Sequence, residues 1–391
     1  MQLFGVEPPK KASTPLSKGD HPELDITEPC TPIDIAKYQS LIGALQWTIS
    51  LCRMDIAHAV MTLSRYRAAP QVGHLHRVKR IVGYLCHKPH GALRFRTAIP
   101  DHESLFGEHP ETHDWMYSTY GSPKELIPDG MPPPKGKPVR TTTFKDANLM
   151  HDFTTGRSAS GVLHLINQTP LDWFSKRQGQ VETATYGSEF VAARIAVEQI
   201  MDLRYTLRSY GVPLDGPAWL FGDNQAVITS STIPHSTLSK RWNALSYHRV
   251  REAVAAGIIR FHYLESKQNP ADILTKALEF AAAWPHVETL LFRWGETLPR
   301  SAIPHAQRGV SSQPDSQPMA EVLPEVTEGP VPNGTSIQAS SLSIRGVHSM
   351  GTSHETPSLL PNMFMAIAPL QSGLENPELH LELPGCLNDL A

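Results

Sequence analysis

The sequence is poor in cysteine and lacks any long apolar run. Its four cysteines, Cys30, Cys52, Cys86 and Cys386, form no Cys-x-x-Cys pair, which excludes a disulfide-rich scaffold and a cysteine zinc finger and favours a reducing compartment. No apolar stretch reaches the roughly 18 residues of a membrane span. The first lysines follow the few apolar residues of the N-terminus, unlike a secretory signal. We therefore expect an intracellular protein, cytoplasmic or nuclear, without membrane contact.

Basic residues are scarce at the C-terminal end. No lysine follows Lys276, and residues 300–391 hold three arginines against nine acidic residues, together with eleven prolines and twelve serines. Such a composition cannot bury enough apolar surface to offset the entropy of ordering the chain. The sequence therefore predicts a mostly disordered Pro/Ser-rich tail over 283–391. The net charge of −3 for the 391 residues gives no general argument for nucleic-acid binding.

Composition and periodicity divide the rest of the chain. Residues 1–33 contain paired lysines and prolines and predict a disordered leader. Apolar residues recur at spacings of three and four over 34–99, which predicts helices. Residues 100–137 are rich in Pro, Gly, His and acids and predict a linker. Residues 138–282 change to a mixed pattern of strands and helices.

The pattern over 138–282 places three strands before an alternation of helices and strands. β-branched and alternating segments predict the strands, and helical periodicity with Gly or Pro at the ends predicts the helices. The predicted strands are Val139–Phe144, Ser160–Ile166, Leu171–Ser175, Ala218–Phe221 and Ile258–Leu264, and the predicted helices are 187–210, 225–230, 240–256 and 270–281. This order predicts an α/β fold with one mixed five-stranded sheet and helices on both faces.

Four acidic residues stand at the ends of these predicted elements. Asp146 follows the first strand, Glu189 lies in the first turn of the long helix, Asp223 ends the fourth strand and Asp272 opens the last helix. If the first and fourth strands are neighbours, all four acids meet at one sheet edge. Four close carboxylates repel one another unless divalent cations compensate them, and Mg²⁺ prefers such oxygen ligands. Taken singly, each acid is better explained as a helix cap or a turn former than as a catalytic group.

Longer segments around these acids resemble a known family. They include KYQSLIGALQW, RMDIAHAVMTLSRY and HLHRVKRIVGYL before the linker, and KDANLMHDF, VETATYGSEFVAA, FGDNQAVI and PADILTKAL after it. In this order they resemble the C-terminal part of the Pol polyprotein of copia-type LTR retrotransposons. The resemblance covers about residues 36–280 and comprises the end of the reverse transcriptase region, here 34–99, and the ribonuclease H domain, here 138–282.

The resemblance implies a ribonuclease H-like fold and a function. The expected reaction is Mg²⁺-dependent endonucleolytic hydrolysis of RNA in RNA–DNA hybrids. It needs two Mg²⁺ ions, with Mn²⁺ as an alternative, held by Asp146, Glu189, Asp223 and Asp272 as catalytic residues. By resemblance, Asp146 bridges both ions, Glu189 and Asp223 hold the ion on the leaving-oxygen side, and Asp272 holds the ion that activates water. The expected partners are the RNA–DNA hybrid and the missing polymerase portion of a related Pol protein.

Polar and basic residues near the four acids are candidates for nucleic-acid contacts. Such contacts would reach phosphates or the 2′-hydroxyl of the RNA strand. For each candidate, a solvated surface group is an equally good interpretation. The candidates are Asn224, Gln225, Lys176, Arg177, Lys240, Arg241, Arg249 and Arg251.

The sequence also departs from the family. It contains no Asp-Asp pair, so we expect no polymerase centre in this chain. Trp242 stands near Lys240, where the family commonly has a histidine. The resemblance therefore does not carry over to this loop or its substrate contacts, although it still covers the metal site. The alternative function is therefore a catalytically silent retroelement remnant that acts at most as a nucleic-acid-binding or interaction module. We also expect the helices of 34–99 to expose an apolar face, so that a fragment of 138–282 would be the more soluble form.

Overall fold

The computed structural model of the protein describes residues 11–103, 115–121, 123–238 and 240–293. The α-helices in these ranges are α1 (Pro32–Ser50), α2 (Ala57–Ser64), α3 (Val72–His87), α4 (Thr185–Ser209), α5 (Gln225–Thr232), α6 (Ala244–Ala255) and α7 (Phe280–Leu290). The β-strands are β1 (Gly91–Leu93), β2 (Thr141–Asp152), β3 (Arg157–Ile166), β4 (Thr169–Val181), β5 (Ala218–Gly222), β6 (Ile259–Tyr263) and β7 (Leu291–Arg293). None of the helices combines the length and apolar character needed to cross a bilayer.

Five strands form one open mixed sheet in the order β4-β3-β2-β5-β6. β2, β3 and β4 are antiparallel neighbours, whereas β5 lies parallel to β2 and β6 lies parallel to β5. The central β2 therefore pairs with the first hairpin on one side and with the first parallel strand on the other. This arrangement confirms the predicted five-stranded mixed sheet of a ribonuclease H-like fold.

Helices cover both faces of this sheet, as predicted. Val162 and Leu163 are successive residues of β3 and therefore point to opposite faces. Val162 packs with Phe190 and Val197 of α4 and with residues of α6. Leu163 packs with Ile273 on the other face, together with residues of α7 and the segment just before α2. The two apolar layers enclose a sheet whose strands are buried on both sides.

Two of the antiparallel strands, β2 and β4, are longer than predicted. β2 runs on to Asp152 rather than ending at Phe144, and β4 continues to Val181. The turn between β3 and β4 contains Asn167 with a φ of 54°, a left-handed conformation that Asn tolerates better than most residues. Because β2 is long, Asp146 lies inside the strand and not in a loop after it.

The N-terminal helices have an apolar core of their own. α1, α2 and α3 bury residues such as Tyr38, Val60 and Val78 in one cluster. The predicted disordered leader at 1–33 differs from the structure in its described part, because Leu16 is buried in this cluster. Arg77 of α3 forms ion pairs with Asp20 and Asp25. Charge and apolar contacts thus fix a segment whose composition alone predicts no structure. Residues 1–10 lie outside the described ranges.

Polar contacts join the helical region to the sheet. Arg65, just after α2, donates to the buried Asp152 at the end of β2 over 2.5 Å. Thr62 of α2 is 3.2 Å from His151 Nε2. In the predicted linker, Glu125 accepts hydrogen bonds from Arg204 and Arg208 of α4. The helices and the linker are therefore attached to the sheet region by specific contacts.

The predicted last helix at 270–281 is wrong in its length. Pro270–Leu274 forms a single 3-10 segment, here called the Asp272 turn, and the chain leaves helical geometry at Thr275 with φ −122°. The Thr275 hydroxyl turns to Asp146 instead of solvent. A separate helix, α7, begins at Phe280, and β7 pairs with β1. Residues 283–293, which were predicted as the beginning of the tail, therefore lie in α7 and β7, and residues 294–391 lie outside the described ranges.

Candidate metal centre

Strand register brings Asp146 and Asp223 to the same level. β2 and β5 are parallel, and Phe144 pairs with Phe221. Asp146 lies two residues after Phe144, and Asp223 lies two residues after Phe221. The two aspartates therefore lie side by side and point to the same face of the sheet. The Asp272 turn adds a third carboxylate, and one oxygen from each of the three acids lies within 4.8 Å of the others. The structure thus brings three of the four predicted acids together.

The Asp272 turn can approach the sheet because Gly161 has no side chain. Gly161 of β3 pairs with Asp146 across the sheet. A Cβ at Gly161 would lie 2.7 Å from Thr275 Cγ2 and 2.8 Å from Leu274 Cβ, which is closer than real contacts allow. Asn269 anchors the start of the turn, since its Nδ2 donates to the Lys145 carbonyl oxygen over 2.9 Å. A glycine and one buried amide therefore set the position of Asp272.

Side chains that precede and follow the Asp272 turn hold the carboxylates in place. Thr275 Oγ1 donates to Asp146, and Ser266 Oγ donates to Asp223. Lys276 Nζ lies 3.2 Å from Asp146 and 2.9 Å from Asp272, so one ammonium bridges two acids. Burial, together with the negative charge of Asp146, raises the pKa of Asp272 to about 7. The raised pKa means that the charged form of Asp272 is unfavourable here unless a cation compensates it.

Glu189, the fourth predicted acid, has a different partner. It lies near the start of α4, is 5% exposed, and accepts a 2.5 Å hydrogen bond from Lys145 Nζ. Burial raises the pKa of Glu189 to about 7, and the charges of Asp146 and Asp223 add to this in spite of Lys145. Within the described residues, the group of acids close enough to share one ion comprises Asp146, Asp223 and Asp272 without Glu189.

Lys145 is a residue of the site that the sequence motifs do not identify. It directly precedes Asp146 in β2, so its side chain leaves the opposite face and lies against α4. A lysine within a predicted internal strand is itself an unusual signal, because lysine is rarely buried without a partner. That signal could have been found in the sequence, although its partner could not.

Arg251, predicted as a nucleic-acid contact, is part of the core instead. It is 2% exposed, and its guanidinium donates to the carbonyl oxygens of Ser230, Ile233 and Pro234. Its guanidinium carbon lies 4.9 Å from the ring centroid of Trp115. The arginine thus satisfies carbonyls at the C-terminal end of α5, and its burial keeps it away from a phosphate.

The other predicted nucleic-acid contacts differ in exposure. Arg177 donates to Asp152, and Arg249 donates to Glu252, so both have partners within the chain. Asn224 caps α5, since its Oδ1 accepts from the Val227 amide over 3.1 Å. The remaining candidates are exposed or half-buried on the surface, namely Lys176, Gln225, Lys240 and Arg241. Trp242, which replaces the expected histidine, is 64% exposed.

Several solved structures are similar to part of the chain. An N-terminal RNase H domain from Mycobacterium tuberculosis has 13% sequence identity and a TM-score of 0.28, and the match covers 39% of this chain and 98% of that one. RNase H1 from Halobacterium salinarum has 17% identity and a TM-score of 0.27, with 36% and 95% covered. LC11-RNase H1 in complex with an RNA/DNA hybrid has 14% identity and a TM-score of 0.29, with 35% and 94% covered.

Curated relatives match a larger part of the chain. The retrovirus-related Pol polyprotein from transposon RE2 of Arabidopsis thaliana is 23% identical over 70% of this chain and 16% of its own length. That from transposon TNT 1-94 of Nicotiana tabacum is 24% identical over 71% and 18%. No family model matches. The chain thus spans less than a fifth of these two relatives, and its resemblance to the Pol polyproteins of copia-like transposons is confirmed.

Proposed function

We propose that the chain is a retrotransposon-derived ribonuclease H that hydrolyses the RNA strand of RNA–DNA hybrids with Mg²⁺. The observation that carries this proposal is the convergence of Asp146, Asp223 and Asp272, three carboxylates from separate elements with oxygens within 4.8 Å of one another. The similarity to transposon Pol polyproteins supports the substrate class. No polymerase reaction is proposed.

The donor set suits a hard divalent cation. All three groups are carboxylates, and Asp146 is 1% exposed, so a cation would compensate a charge that solvent cannot reach. A bound Mg²⁺ ion polarises a phosphodiester and activates a water molecule. In the proposed site, Asp146, Asp223 and Asp272 would hold the ion. Thr275 keeps the Asp146 carboxylate oriented, and Ser266 does the same for Asp223.

Lys276 balances the charge of the site. Burial lowers its pKa, but the negative charges of Asp146 and Asp272 outweigh this effect and raise it. The ammonium therefore stays protonated and can attract a phosphate as well as hold two carboxylates. Its side chain is 30% exposed, so it can swing aside when a cation enters.

A second candidate function is a catalytically silent remnant that binds nucleic acid or a partner. One observation favours it: the buried ammonium of Lys145 is already paired with Glu189, a residue of the predicted catalytic set. If the reaction requires a Glu189 carboxylate that is free of Lys145, the chain keeps its fold but does not cleave RNA.

A cleavage assay on a labelled RNA–DNA hybrid with Mg²⁺ separates the two functions. We expect the wild-type chain to cut the RNA strand, and Asp146→Asn or Asp223→Asn to lower the rate by at least about 100-fold, since each change removes a ligand. Asp129→Asn, at an exposed position in the predicted linker and outside the group of acids, is the matched control and should leave the rate unchanged.

Two results would contradict the nuclease proposal. Equal cutting by the wild type and Asp146→Asn would indicate a contaminating nuclease. Hybrid binding without cleavage by the wild type would support the silent remnant instead.

A further inference from the structure

Two lysine ammonium groups contact the predicted acids, and the two side chains differ in how far they can move. Lys276 bridges Asp146 and Asp272 from a side chain that is 30% exposed. Lys145 has no exposed side-chain surface, and its ammonium lies 2.5 Å from Glu189. An exposed lysine can exchange its contacts for water, whereas a buried one cannot leave without stranding a charge.

The Lys145 side chain is buried between neighbouring strands. Its side chain passes over Gly222, where an added Cβ would overlap Lys145 Cε and lie 2.9 Å from Nζ. On the next strand, the ring of Phe261 has its centroid 5.6 Å from Nζ. The backbone of Lys145 is fixed as well, since its carbonyl oxygen accepts from Asn269. Gly222, Phe261 and the hydrogen bond from Asn269 thus border the lysine whose ammonium pairs with Glu189.

A metal ion on Glu189 would compete with this ammonium. The Glu189 oxygen that binds Lys145 already has its cation, and a divalent ion on the same carboxylate would face a positive charge a few ångströms away in a dry environment. Such repulsion is strong at low dielectric constant. If Glu189 turned from Lys145 to a metal ion, the buried charge of Lys145 would lose its partner.

We propose that Lys145 is the permanent counter-ion of Glu189, so that the chain binds one divalent cation at Asp146, Asp223 and Asp272 instead of two at four acids. This inference rests on the metal site of the proposed function and departs from the two ions that the resemblance implies. Lys145 then determines the number of bound ions, and Glu189 contributes to folding through its ion pair.

The number of bound Mn²⁺ ions tests the inference on the full chain, by isothermal titration calorimetry and by electron paramagnetic resonance of free Mn²⁺. We expect one ion per wild-type chain and two per Lys145→Met chain. The double variant Lys145→Met with Glu189→Gln should return to one ion. Lys276→Met is the matched lysine control: it should still bind one ion, with an affinity raised several-fold.

Glu189→Gln provides an independent measurement if Lys145→Met fails to fold. A glutamine still accepts the hydrogen bond from Lys145, and we expect the Mn²⁺ affinity to stay within about twofold of the wild type, a change of less than 0.5 kcal/mol. Asp223→Asn, in contrast, should weaken Mn²⁺ binding by at least about tenfold.

The contrary outcomes are distinct. Two ions in the wild type, or a large loss of affinity in Glu189→Gln, would overturn the role of Lys145 and leave the proposed nuclease intact. No bound ion in either the wild type or Lys145→Met would overturn the metal site itself, and the inference would fall with it.

Discussion

Asp152 shows how much a single carboxylate can hold together. It is fully buried at the end of β2 and accepts hydrogen bonds from Arg65 near α2 and from Arg177 on β4. The hydroxyls of Thr154 and Thr155 donate to it as well. Burial would raise the pKa of Asp152, but these hydroxyls and guanidinium groups outweigh it and hold the pKa far below its usual range.

Asp152→Asn should lower the free energy of unfolding by about 2–3 kcal/mol, because it leaves two guanidinium groups without a counter-charge in a half-buried place. Urea titration followed by circular dichroism measures this change. The exposed control Asp129→Asn should shift it by less than about 0.5 kcal/mol. Equal stability of the two variants would mean that Asp152 contributes nothing to the joint between the helices and the sheet.

Glu125 predicts a dependence of stability on pH. Burial alone would raise its pKa, but the hydrogen bonds from Arg204 and Arg208 lower it to about 2, from an ordinary value of 4.5. A depressed pKa in the folded state means that the stabilisation is complete above the unfolded pKa and is lost as the pH falls towards 2. The size of the effect is about 2 kcal/mol after allowance for solvent at Arg208.

Glu125→Gln should therefore be less stable than the wild type at pH 7, and the difference should shrink as the pH falls below 4.5 and become small only at about pH 2. Thermal melts of both proteins across pH 2–7 give the comparison. A constant difference between the two over that range would contradict the predicted protonation of Glu125.

The sequence could predict three residues of the site but not the partner of the fourth. Asp146 and Asp223 follow from two parallel strands, because register then forces their side chains together. Glu189 belongs to the same predicted set through its place at the start of the long helix and through the resemblance. The ammonium that pairs with it comes from Lys145, 44 residues earlier, and period-two alternation says only that this side chain points away from Asp146.

At the scale of elements, local patterns located the strands and helices while tertiary contacts set their ends. β2 extends eight residues beyond its predicted end, at Phe144, since it pairs with β3 along most of its length. The predicted helix 270–281 ends after Leu274 because the Thr275 hydroxyl binds Asp146. Residues 11–31 are placed by ion pairs to Arg77. Such long-range pairs leave no periodic trace in the sequence.

The approach of the Asp272 turn to β3 gives a prediction for this element. Gly161→Ala would place a Cβ against Thr275 and Leu274, so we expect a loss of about 1–3 kcal/mol in stability and weaker Mn²⁺ binding as Asp272 moves outward. Gly179→Ala is a matched control on β4, because no atom lies within 4 Å of the added Cβ. Calorimetric Mn²⁺ titration of both variants measures the effect. Equal Mn²⁺ binding by the two variants would mean that the position of the Asp272 turn does not affect the metal site.

At the scale of the whole molecule, the helical region and the sheet share apolar surface. Met54, just before α2, is fully buried and packs in one cluster with Leu163 and Ile273. α1 does expose Trp47, at 64%, but the segment leading into α2 is covered by the sheet region. This shared cluster argues against the expectation that the fragment 138–282 would be the more soluble form.

The shared cluster predicts the behaviour of a fragment. A fragment of residues 138–293 would expose the apolar face that Met54 and Ala57 cover, and it would lose the Arg65–Asp152 pair. We expect it to melt at a lower temperature than a chain of residues 11–293 and to aggregate more readily. Differential scanning calorimetry should show one transition for the longer chain, because the cluster couples both regions. Two separate transitions, or an unchanged melting temperature for the fragment, would mean that the sheet region is stable without the helices and that the contacts between them are incidental.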